Sequence, residues 1–189
     1  MTETPNPHIV DTDTLTGEAH PVRRCVLALG SNLGERLGNL QGAVNALADT
    51  PEVWLTAVSP VYETEPVEAT EDSGEFLNAV VLLDTTLAAR TLLERALAIE
   101  DAYGRERTGD RGSPRTLDVD LIVVGDRRAN DEHLVLPHPK AHERAFVLVP
   151  WHDVDPEAEL PEVGPVVDQL VKVADQTVTR RDDLTLTFQ

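Results

Sequence analysis

The sequence predicts an α+β fold, a ferredoxin-like sandwich in which a mainly antiparallel sheet carries helices packed on its faces. Stretches with a two-residue apolar period alternate with stretches of helical period in the order β-α-β-β-α-β, the order of a split βαβ sandwich. The chain has 189 residues, 41% of them hydrophobic, which suits a single buried core. It contains no internal repeat.

Residues 1–22 carry three prolines, several Thr and Asp and few large apolar groups. Such a composition buries too little surface to offset its ordering entropy, and a disordered acidic tail is expected. The domain is expected over 23–175, with 176–189 a tail or an edge strand. CVLALGS (25–31) reads as a buried strand, and Gly30-Ser-Asn-Leu-Gly34 as a structural turn, since it lacks both Gly-x-Gly-x-x-Gly and a Walker Gly-Lys-Ser/Thr. A helix follows over 36–49, with Leu37, Leu40, Val44 and Leu47 at helical spacing, and Pro51 stops it.

Residues 53–64 (VWLTAVSPVYET) are extended, with a bulge or edge position at Pro60. A polar loop leads to the strand FLNAVVLLDT (76–85). Residues 87–103 hold strong helix formers with apolar Leu92, Leu93, Ala96 and Ile99, and Gly104 suits the C-terminal cap. After a Gly/Arg-rich loop (104–115) come the strand TLDVDLIVVG (116–125), a polar connection, and LVLPHPKAHERAFVLVPWHDV (134–154) as a short strand and a helix. A last helix is expected within 162–175.

The net charge of −18, from 34 acidic residues against 16 basic ones, opposes binding to nucleic acid or to an anionic membrane surface. The amino terminus has no basic n-region or apolar h-region, and no apolar run is long enough to span a bilayer, so a cytoplasmic location is expected. Cys25 is the only cysteine; it opens an apolar run and reads as a core residue.

In LDVDLIVV the strand period puts Leu117, Val119, Leu121 and Val123 on one face and Asp118, Asp120, Ile122 and Val124 on the other. The two carboxylates therefore point the same way, with Cα atoms about 6–7 Å apart, close enough to coordinate a hard divalent cation. A bare pair at the rim of a sheet is more often solvated than functional. The adjoining loop tips the balance, because Arg105, Arg107, Arg111 and Arg115 make a local positive patch in an acidic chain. Guanidinium groups fork onto phosphate oxygens. The segment Pro137-His138-Pro139-Lys140-Ala141-His142-Glu143-Arg144-Ala145-Phe146 adds further basic groups after a strand.

Six motifs in order resemble one family, the 6-hydroxymethyl-7,8-dihydropterin pyrophosphokinases: ALGSNLG (28–34), VSPVYETEP (58–66), FLNAVV (76–81), the arginine loop, SPRTLDVDLI (113–122) and LPHPKAHERAFVLVP (136–150). The resemblance runs from Cys25 to about Pro161. It implies a ferredoxin-like fold and ATP-dependent transfer of a pyrophosphoryl group to the pterin hydroxymethyl oxygen, with release of AMP, in folate biosynthesis. It also implies two Mg²⁺ ions held by Asp118 and Asp120, small-molecule substrates and a monomer. Arg105 and Arg115 match catalytic, phosphate-holding arginines. Glu100, Arg107, Leu121, His138 and Arg144 match further ATP contacts. Thr64, Pro66, Val67, Phe76, Asn78 and Phe146, with Asp118, match the pterin site, the two aromatics sandwiching the ring. The chain departs from the family at Gly112 and Ser113, where many members have Trp-Gly, and at Leu97, Thr108 and His133.

Two other functions fit a ferredoxin-like sheet: an RNA-recognition module and a catalytically inactive pterin or nucleotide binder. The acidic charge and an aromatic content of 4% oppose the first. Retention of both aspartates and Arg115 opposes the second.

Overall fold

A computed structural model of the chain describes residues 21–65, 74–104 and 116–189. The central sheet is built from β1 (Arg23–Ser31), β2 (Val53–Val58), β3 (Tyr62–Thr64), β4 (Phe76–Thr85) and β5 (Asp118–Val124), all paired antiparallel. β4 and β1 lie at its centre and β5 at one edge. β2 and β3 share the other flank of β4: β2 runs against Val81–Thr85 and β3 against Phe76–Asn78. If β2 and β3 count as one bent strand, the order follows that of a ferredoxin-like sandwich. The break falls at Ser59–Val61, where Pro60 has no N–H to give to the ladder.

The two-residue period divides each central strand between two cores. Cys25, Leu27 and Leu29 of β1, with Leu77, Ala79, Val81 and Leu83 of β4, face α1 (Arg36–Ala48) and α2 (Ala89–Ala102). Val26 and Ala28, with Val80 and Leu82, face α3 (Ala145–Val154) and α4 (Val166–Lys172). The α2 boundaries fall one or two residues inside the expected 87–103. The expected helix over 162–175 is shorter, because residues 159–165 form a small hairpin of β8 (Glu159–Leu160) and β9 (Gly164–Pro165), closed through Glu162 and Gly164 at positive φ.

β5 departs from strict alternation. Its register against β1 shifts at Val26/Leu27, so Ile122 is an extra residue on the edge strand. Val123 then joins the α3 core and Val124 the α1 core, the reverse of the expected assignment. Asp118 and Asp120 precede the bulge and keep their common face.

Cys25 lies fully buried among apolar neighbours, and burial pushes its thiol up to about 12, which makes it inert core material. The short β6 (Ala129–Asn130) and β7 (Val135–Leu136) form a second hairpin beside β5. At the carboxyl end, β10 (Thr179–Arg180) pairs with β3, and Leu186 packs into the first core. Among the described residues no helix is long and apolar enough to cross a membrane.

Candidate active site

Antiparallel pairing sets Asn78 of β4, Gly30 of β1 and Asp118 of β5 in one row across the sheet. The next row is Val80, Ala28 and Asp120. Since Val80 and Ala28 belong to the α3 core, both aspartates sit on the α3 side, each half-buried at the end of that face. Gly30 is the floor between Asn78 and Asp118. A Cβ there would stand 3.4 Å from Asn78 Oδ1 and 3.7 Å from Phe76 Cδ1, so the missing side chain leaves a cradle between the amide and the carboxylates. Gly30 lies inside β1, as the strand expected over 25–31 has it, although it is also the first residue of the expected turn; the positive φ of that turn comes at Gly34, at 71°.

Asn78 and Thr64 are both buried, and Asn78 Nδ2 donates to Thr64 Oγ1 at 2.8 Å. This bond fixes the amide orientation and leaves Asn78 Oδ1 on the Gly30 side. Phe76 shares the face two residues away, paired with Thr64. Phe146 lies in the first turn of α3, partly buried against the same core, with the Arg144 guanidinium 5.6 Å from its ring centroid.

His138 follows β7. Its backbone N–H donates to Ile122 O at 2.9 Å, which docks it on the β5 edge two residues past Asp120. Its Nδ1 accepts the Lys140 N–H at 3.1 Å, so the ring proton sits on Nε2 as a donor. Burial, then the charges of Arg144 and Lys140, lower its pKa to about 4. At neutral pH it is an uncharged donor beside two arginine or lysine cations, a combination suited to a phosphate oxygen.

Two candidates stand on the other face. Leu121 is 5% exposed within the α1 core. Glu100 of α2, 1% exposed, accepts the Val119 N–H through Oε1 at 2.9 Å. Val119 lies between the aspartates on an edge strand, so this carboxylate satisfies a donor that no neighbouring strand reaches. Pro66, Val67, Arg105, Arg107 and Arg115 lie outside the described residues.

The start of β5 is tied down by groups that local sequence patterns do not reveal. Thr116 O accepts from Ser31 Oγ and from Asn39 Nδ2, the latter at 3.1 Å. Asn39 Nδ2 also lies 3.0 Å from Leu33 O and 3.2 Å from Ser31 Oγ. One buried amide thus joins the end of β1, the first turns of α1 and the entry to the aspartate strand. Reading Gly30 as part of a structural turn misses its place as the floor of the site, although a Gly at the end of an apolar strand is a known mark of close approach.

Two parallel carboxylates suit a hard divalent cation. Among the described residues no cluster of three His, Cys, Asp or Glu assembles. The carboxylate pair fits Mg²⁺, which keeps several waters and binds through one or two carboxylates plus phosphate oxygens.

The family model of 7,8-dihydro-6-hydroxymethylpterin-pyrophosphokinase (HPPK) matches residues 26–156. A relative from Mycobacterium tuberculosis, a 2-amino-4-hydroxy-6-hydroxymethyldihydropteridine pyrophosphokinase, is 46% identical over 151 residues, 75% of this chain and 77% of the relative. The Mycobacterium leprae enzyme of the same name is 45% identical over 177 residues, 87% of this chain and 88% of that one. A crystal structure of a Plasmodium falciparum HPPK-DHPS triple mutant matches with a TM-score of 0.65 at 14% identity, covering 84% of this chain and 44% of that one. The wild-type P. falciparum HPPK-DHPS, solved with pterin and p-hydroxybenzoate, gives 0.62 at 14%, covering 84% and 44%. The chain thus spans under half the length of these solved proteins, whose domain has the same α+β fold.

Proposed function

The chain belongs to the 7,8-dihydro-6-hydroxymethylpterin-pyrophosphokinase family, and from that premise we propose that it transfers the β,γ-pyrophosphoryl group of ATP to 6-hydroxymethyl-7,8-dihydropterin. The products are the pterin diphosphate and AMP. As a member of that family it is a pyrophosphokinase of folate biosynthesis acting on small molecules. The observation that carries the finer reading is the row Asn78–Gly30–Asp118, a flat cradle with an amide at one side and paired carboxylates at the other.

The pterin lies over Gly30, its edge hydrogen-bonded to Asn78 and its faces flanked by Phe76 and Phe146; Thr64, Pro66 and Val67 form its wall. Stacking between two aromatics suits a planar heterocycle. Asp118 and Asp120 would hold two Mg²⁺, which would supply neutralisation of the triphosphate charge. The hydroxymethyl oxygen attacks the β-phosphorus, and the bond from that phosphorus to the oxygen bridging the α-phosphate breaks, releasing AMP. Positioning and electrostatics supply most of the rate. Arg105, Arg107, Arg115, Arg144 and the neutral Nε2–H of His138 bind phosphate oxygens. Leu121 and Glu100 support the nucleotide side from the other face. The protein acts as a monomer.

Removing either carboxylate tests this. Asp118→Ala and Asp120→Ala should each cut turnover by about 10²-fold or more at saturating MgATP through lost positioning. Near-wild-type turnover in both refutes the metal assignment.

A further inference from the structure

β3 has only three residues, yet it carries Thr64 and supports Phe76 and Asn78 by direct pairing: Thr64 faces Phe76, and Tyr62 faces Asn78. So short a strand is weakly held by its own ladder. On the back of the sheet, opposite Thr64, the middle residue Glu63 meets two arginines from distant parts of the chain. Arg36 NH1, at the start of α1, donates to Glu63 Oε2 at 2.8 Å and to Glu75 O, also at 2.8 Å. One nitrogen therefore ties β3 to the residue just before Phe76.

From the other side, Arg181 NH1 stands 3.1 Å from both Glu63 oxygens. Its remaining edge, Nε and NH2, is held by Asp183 at 2.8 and 2.7 Å, and its backbone N–H donates to Val61 O at 2.9 Å. The guanidinium is thus held along one edge by Asp183 and its backbone is anchored on Val61, which leaves NH1 for Glu63. Side-chain exposures of 17% for Glu63 and about 30% for each arginine put these pairs between the surface and the interior. Several charges in one network with fixed geometry are the case in which partly exposed ion pairs contribute to structure. Burial raises the Glu63 pKa, but the Arg36 hydrogen bond and both guanidinium charges outweigh it and hold the carboxyl below its usual range.

We propose that Arg36, Glu63 and Arg181 are a positioning clasp for the pterin half of the site, so that the carboxyl-terminal segment just after β10, through Arg181, sets the affinity for the pterin without touching it. The clasp acts on Thr64 and Phe76 and leaves Asp118 and Asp120, held by β1 and α2, where they are. This rests on the assignment of the pterin to Asn78, Thr64 and Phe76.

The test uses the full chain with Arg181→Gln and Arg36→Gln, each substrate varied in turn. The pterin KM should rise about tenfold, the equivalent of one charge-assisted hydrogen bond, while the ATP KM and kcat stay unchanged. A purely structural contact would lower kcat through loss of folded enzyme and leave both KM values alone; that result, or an equal rise in both KM values, overturns the clasp. Amide hydrogen exchange gives a readout independent of turnover. In Arg181→Gln the Thr64 and Phe76 amides should exchange faster, with Val119 and Leu121 unchanged. Unchanged exchange at Thr64 and Phe76 overturns the clasp whatever the activity. Absence of pterin turnover in the wild-type chain refutes the substrate assignment instead, and is separately recognisable.

Discussion

Val119, the residue between the two aspartates, donates its backbone N–H to Oε1 of Glu100 across 2.9 Å. β5 is an edge strand, and without this acceptor the amide would be buried and unsatisfied. Glu100→Ala should therefore destabilise the protein by about 1–3 kcal/mol, the cost of orphaning a buried donor. Glu100→Gln, which retains a carbonyl acceptor, should lose less. Urea unfolding of the two variants checks this; equal losses would mean that the hydrogen bond contributes little.

Gly30→Val should fill the cradle. A Cβ at Gly30 already reaches van der Waals distance from Asn78 Oδ1 and Phe76, and two further methyl groups would occupy the space over the strand. The strand itself tolerates valine. The pterin KM should rise by roughly tenfold or more, since a misfit of one methylene already costs about that much and valine adds three carbons, with the melting temperature little changed. Steady-state kinetics and thermal unfolding on the same preparation separate the two effects.

His138 gives a pH signature. Its folded pKa is lowered to about 4 from 6.5, first by burial and then by Arg144 and Lys140. Between those values the unfolded chain takes up a proton that the folded chain refuses, so His138 costs stability as pH falls from about 6.5 toward 4. The wild-type urea midpoint should drop more between pH 7 and pH 5 than that of His138→Asn. Identical drops would mean that the ring titrates normally. An NMR titration of the His138 ring should show its midpoint well below 6.5.

What the sequence disclosed follows from which forces are local. The shared face of Asp118 and Asp120 was legible because the two-residue period needs no tertiary information, and it fails only past the bulge at Ile122, where Val123 and Val124 exchange cores. The break of the 53–64 segment at Pro60 was foreseeable from its missing donor, though not its outcome, two strands on one flank of β4. The roles of Asn39, Ser31 and Arg36 were hidden, since the partners that matter, Thr116 and Glu63, lie 27 to 85 residues away in the chain and no spacing rule connects them. Arg181 reaches Glu63 across 118 residues, and nothing in the charged run 180–183 distinguishes it from a solvated tail. The pterin and ATP assignments themselves came from the ordered family motifs, not from periodicity.

The most direct measurement is the nucleotide product. The wild-type chain is incubated with 6-hydroxymethyl-7,8-dihydropterin and MgATP, and the nucleotides are separated by anion-exchange chromatography, with an Asp120→Ala control. AMP and pterin diphosphate should form in equal amounts, dependent on Mg²⁺ and nearly lost in the control. ADP with a pterin monophosphate, or AMP formation that persists in Asp120→Ala, would contradict the proposed transfer.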